Sequence, residues 1–106
     1  MLLDLRKRNL LLMLLPKSGS LDGQLRCKEL AERLRDLSDE YKEQLCFEDL
    51  GNGMFKYDIA KDVPVEFPLS ESELHVLKRG IDELDKEEKI TLDLVDVCKE
   101  VREMCL

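Results

Sequence analysis

Residues 6–20 read RKRNLLLMLLPKSGS: three cations, six apolar residues from Leu10 to Leu15, a proline, and a small polar turn. What covers this leucine block decides the fold. A secretion leader carries an apolar region of about 7–15 residues that runs into a small-residue cleavage site. Here the block stops at Pro16 and meets Lys17-Ser18-Gly19-Ser20, which offers no such site. A membrane-spanning helix needs about 20 apolar residues. Both membrane readings fail on length, so a cytoplasmic chain without membrane contact is expected. A helix apolar on every side is buried on every side, by its own domain or by another chain. The expected helix runs over 2–15, with Asp4 as N-cap and Pro16 as stop signal. Arg6, Lys7 and Arg8 oppose its dipole in the first turn, so they serve another purpose or mark a solvated end.

Working outward, a helix is expected over 21–37, where Cys27, Leu30, Ala31, Leu34 and Leu37 give a core-facing stripe at helical spacing. Glu29 and Arg33 are placed to pair on its wet face. A short helix over 39–45 starts at the cap Ser38. The period then changes. Gly51-Asn52-Gly53 is a turn between two apolar-bearing runs, and Phe55, Tyr57 and Ile59 alternate with polar residues as in a half-buried strand. Val63, Val65 and Phe67 alternate around Pro64 and Pro68, which permits an edge strand only. A hairpin over 46–67, extended to a three-stranded meander, accounts for this segment. Ser70-Glu71-Ser72-Glu73 is a capping box that opens a helix over 71–86. Thr91 caps a last helix over 92–104, with Leu94, Val97, Cys98, Val101, Met104 and Cys105 on one face. The expected class is α+β: about five helices packed on a short hairpin or meander, as one domain spanning 1–106.

Charge divides the chain. Residues 1–35 hold eight Lys or Arg against four Asp or Glu, while residues 36–106 hold nine against twenty. Any basic patch is therefore local, and the acidic remainder repels phosphate. Cys27, Cys46, Cys98 and Cys105 form no C-x-x-C pair and cannot make a paired zinc site with the one histidine. Cys98 and Cys105 lie two helical turns apart, about 10 Å, too far for a disulfide. They read as reduced thiols.

Chemistry is sparse. His75 stands beside Ser72, but nucleophilic catalysis also needs an orienting acid and an oxyanion hole. No EF-hand window and no E-x-x-H motif organises the many carboxylates. The expectation is a non-enzymatic chain with no cofactor and no metal, working through surfaces. Leu10, Leu11, Met13 and Leu14 are the contact residues if the first helix is exposed, with homodimerisation the economical outcome. Asp82, Glu83, Asp85, Glu87 and Glu88 are a second contact face, suited to a basic partner. A sharper version is an acidic inhibitor whose charge imitates phosphate on a nucleic-acid-handling protein. The alternative is a nucleic-acid-binding regulator that uses Arg6, Lys7, Arg8, Arg26 and Arg33 with a winged-helix-like hairpin.

Arg8 with Leu10–Lys17 and Gly19, and the segment ELHVLKRGIDELDKEEKITLDL over 73–94, resemble a family of small uncharacterised bacteriophage and prophage proteins. Where that pattern has a polar turn followed by tryptophan, this chain has GNG. No activity or functional residue comes with the resemblance. It implies a setting, the cytoplasm of an infected bacterium, and an adaptor or inhibitor acting on other proteins.

Overall fold

The computed structural model describes residues 1–105. Along the chain run β1 (Leu2–Leu3), α1 (Leu5–Leu14), α2 (Leu21–Arg35), α3 (Asp39–Gln44), β2 (Glu48–Gly51) and β3 (Met54–Lys56). After them come a 3-10 turn at Ile59–Lys61, β4 (Val65–Glu66), α4 (Glu71–Lys86) and α5 (Leu92–Met104). The fold is mostly helical α+β, with five helices and two small antiparallel sheets. None of the described helices is long and apolar enough to cross a membrane.

α1 is the central helix and packs on α2, α4 and α5, while α4 also packs on α2 and α5. Leu10, Leu11 and Leu14 of the leucine block meet Leu30 and Leu34 of α2, Leu77 and Ile81 of α4, and Leu94, Val97 and Val101 of α5 in one core. At Gly80 two helices meet without side chains between them. A Cβ built there would lie 1.7 Å from the Leu14 carbonyl oxygen, so α4 touches the backbone of α1 directly. Leu15 takes an extended conformation ahead of Pro16, which ends α1 as proline requires.

Local signals place most helix starts. The Asp4 side chain accepts from the Lys7 N–H, Ser20 from Gly23, and Ser38 from Tyr41. At α4 the capping box is complete, with the Ser70 hydroxyl accepting from the Glu73 N–H and the Glu73 carboxylate accepting from the Ser70 N–H. Thr91 precedes α5 without a side-chain capping bond.

Two helix ends use a motif that the sequence hides. Phe47 N–H donates to Lys42 O and Cys46 N–H to Glu43 O, which closes α3 with Cys46 at φ 53°. Lys89 N–H donates to Leu84 O and Glu88 N–H to Asp85 O, which closes α4 with Glu88 at φ 56°. These are Schellman closures, whose left-handed residue is usually glycine.

The structure corrects several expectations. Leu2 and Leu3 form a strand, not the first turn of α1, because Leu3 pairs with Val65 and Leu2 with Glu66. No meander forms. β4 leaves the hairpin and pairs with β1, so the two sheets are separate. β2 and β3 pair through Asn52 and Gly53, both at positive φ as a tight hairpin turn demands, with an irregularity in register at Gly51. Ile59 lies in the 3-10 turn rather than a strand, and Ile59, Val63 and Val65 are exposed; only Phe67 of the second alternating run is buried. α2 stops at Arg35, which frees Leu37 to join a satellite cluster with Leu5, Tyr41, Leu45, Phe47 and Tyr57.

Candidate functional site

The structure settles the leucine block in favour of the core. Leu11 and Leu14 are 0% exposed and Leu10 is buried, so these three residues contact their own domain and are unavailable to a partner. Met13 alone points outward, at 57% exposure. The expectation of a leucine contact surface on α1 is corrected to this one residue, and with it the basis for a dimer through the leucines. The physical cause is geometric: α1 has neighbours on three sides, so a helix apolar all round finds cover within the fold.

The basic residues are mostly consumed internally. Lys7 bonds Glu100 of α5 at 3.1 Å. Arg8 donates to the Leu34 carbonyl at the end of α2 and lies over the rings of Phe67 and Tyr41, at 5.1 and 5.9 Å. Arg33 also lies over the Phe67 ring, at 4.6 Å, bonds Glu73 and donates to Pro68 O, instead of pairing with Glu29. Two guanidinium groups thus lie within reach of one buried ring. Burial pushes the Glu73 carboxyl up, but the Ser70 N–H, the Arg33 guanidinium and the Ser70 hydroxyl outweigh it and hold the group below its ordinary value. Of the five cations proposed for nucleic acid, only Arg6 and Arg26 are exposed without an internal ion pair among the described residues. As a wing the hairpin offers a single cation, Lys56, which stands opposite Glu48 in the strand register.

The acidic face is similarly occupied. Arg102 of α5 reaches Asp85 at 3.1 Å and Asp82 at 3.5 Å, Arg79 reaches Glu83 at 3.8 Å, and Lys89 reaches Glu87 at 2.9 Å. Of the five acids expected to form this face, only Glu88 has no ion pair among the described residues. His75 is exposed on α4. No group of three or more His, Cys, Asp or Glu side chains among the described residues is arranged to hold a metal ion. Burial pushes the Cys27 and Cys98 thiols up, while Cys46 is exposed.

Large apolar side chains are exposed at several places, among them Leu21, Leu25 and Leu92 on the helices, and most densely on the hairpin side. Residues 48–66 expose Leu50, Met54, Phe55, Ile59, Val63 and Val65. In the hairpin, Phe47 stacks on Phe55 at 5.3 Å, and Phe55 lies 6.0 Å from Tyr57. These rings lie on the face turned toward the helices. A groove of about 200 Å³ opens there, lined by Leu5, Leu34, Leu37, Phe47 and Phe55, with Asn9 and Arg35 as its polar members. Asp62 holds this corner together. One of its carboxylate oxygens accepts from the Leu5 N–H at 2.9 Å, an otherwise orphan donor in the first turn of α1, and the other accepts from the Tyr41 hydroxyl. Burial and the Asp62 carboxylate push the Tyr41 phenol well above its ordinary value, so this bond keeps its proton across the working pH range.

Sequence reasoning missed this groove. Its residues come from 5 to 55, and only the packing of the hairpin on the ends of α1 and α2 brings them together. The one available signal was the aromatic spacing of Phe47, Phe55 and Tyr57 around GNG, which reads equally well as plain hairpin packing. No protein family matches the chain, and neither a curated protein nor a solved structure is similar to it.

Proposed function

We propose that this chain is a non-enzymatic protein-binding module whose contact surface is the hairpin side, centred on the groove between Phe47–Phe55 and the ends of α1 and α2. One observation carries the reading: apolar and aromatic side chains stay open to solvent there, whereas most residues of the acidic and basic clusters already have partners elsewhere in the fold. Solvent-open apolar clusters of this kind mark interaction sites, and aromatic residues dominate contact energetics. An adaptor or inhibitor role in a phage-infected cell fits this reading and rests on the sequence resemblance alone.

A selection of random displayed peptides on the full chain tests it, with the Phe55→Asp and Phe55→Ala chains as counter-targets. The expected peptides carry a large apolar residue and lose about tenfold or more in affinity on either variant, while circular dichroism and melting temperature stay close to wild type. Enrichment indifferent to both variants would overturn the proposal. So would tight binding of duplex DNA with the steep salt dependence of phosphate contacts, which favours the nucleic-acid alternative.

A further inference from the structure

We infer that the groove selects an acidic partner: a peptide segment of another protein that inserts one bulky apolar side chain and sets a carboxylate against Arg35. This rests on the protein-binding reading above. Size points to a side chain rather than a free small molecule, because about 200 Å³ falls short of the roughly 300–1,000 Å³ of small-molecule pockets. The lining agrees, being mostly apolar, with the stacked Phe47 and Phe55 rings and three leucines.

Charge decides the partner's sign. Arg35 is the only charged side chain that lines the groove, and no carboxylate among the described residues lies within 4.0 Å of it. Lys42, also without an ion pair among the described residues, holds its ammonium 5.8 Å from the Phe47 ring centre. The hairpin acid facing the same way, Asp49, is turned back to accept from the Gly51 N–H at 2.9 Å and does not neutralise either cation. Arg33 and Arg102 are held by Glu73 and Asp85, whereas Arg35, like Arg6 and Arg26, has no ion pair among the described residues, and of these three only Arg35 lines the groove. A guanidinium at an apolar lip takes a carboxylate through two parallel bonds, and does so more strongly when the contact is shielded from water. Asn9, with no side-chain hydrogen bond among the described residues, offers an amide to the peptide backbone of the same segment.

Three blocked hexapeptides with one Phe-Leu centre, flanked by Glu, Gln or Lys, test this by titration into the isotope-labelled full chain with amide shifts as readout. The Glu peptide is expected to move the amides of Arg35, Leu37, Phe47 and Phe55 and to bind about tenfold tighter than the Lys peptide. That preference should shrink with added salt and vanish in Arg35→Gln, with Lys42→Gln giving a smaller loss. Equal binding of all three peptides at the groove overturns the acidic-partner inference and leaves the groove as a contact site. A preference that survives Arg35→Gln overturns the assignment to Arg35. If no peptide moves a groove amide, the protein-binding reading falls and the inference with it.

Discussion

The leucine block and the hairpin segment put apolar residues to opposite uses. Leu10–Leu15 is the most apolar run in the chain, yet it is mostly buried because α2, α4 and α5 surround α1. Residues 48–66 are far less apolar, yet they hold six exposed large hydrophobic side chains. A hairpin of a few residues per strand cannot cover both of its faces, and its inner face meets only the small cluster around Leu5, Tyr41 and Leu45. How greasy a segment is does not fix how exposed it will be; the number of neighbours the topology supplies does.

This contrast can be broken first at Leu11. Leu11→Asp puts an unpaired charge in the centre of the core and is expected to leave the chain unfolded, and Leu11→Ala to cost about 2–5 kcal/mol. A well-folded Leu11→Asp chain of half the wild-type solution mass by light scattering would instead make α1 an interface and reverse the comparison. Gly80→Ala comes next, at about 1–3 kcal/mol in chemical denaturation, since the added methyl group meets backbone rather than a side chain that can move. A loss below a few tenths would mean that α1 and α4 are less tightly engaged than the geometry requires.

Asp62→Ala tests the link between the two regions. It removes the acceptor of the Leu5 N–H and the Tyr41 hydroxyl, and a loss of about 1–3 kcal/mol is expected. Hydrogen exchange in this variant should speed up in α3 and the hairpin before it does in α4 and α5.

Glu73 sharpens the helical side through pH. Its folded-state value lies below the unfolded one, so its contribution is present above the ordinary glutamate range, about pH 4.3, and is lost as pH falls through the depressed value. The melting-temperature gap between wild type and Glu73→Gln should therefore be open at neutral pH and narrow in acid below that range. Smallest of all, Cys46→Gly and Glu88→Gly should each stabilise by about 0.5–1 kcal/mol, because glycine adopts the left-handed conformation without a Cβ clash. An equal gain in the two would show that the strain is local to each closure and independent of which region it sits in.

The sequence by itself determined the features that depend on near neighbours along the chain. The N-caps at Asp4, Ser38 and Ser70, the stop at Pro16, the capping box through Glu73, and the turn at GNG were all legible, because each needs only residues within about one turn. So was the α+β class, from the change of period near residue 46. The ends of α3 and α4 were not legible, because Cys46 and Glu88 stand where the closing motif usually has glycine. Tertiary structure alone decided that Leu2–Leu3 is a strand, since its partner lies more than 60 residues away. It decided too that Arg8 and Arg33 both lie over the Phe67 ring, that the acids of α4 answer Arg102 of α5, and that Arg35 meets an aromatic groove without a carboxylate of its own. Helix starts depend on short-range hydrogen bonds, whereas strand partners, free charges and open apolar surface depend on which distant segments the finished fold brings together or leaves apart.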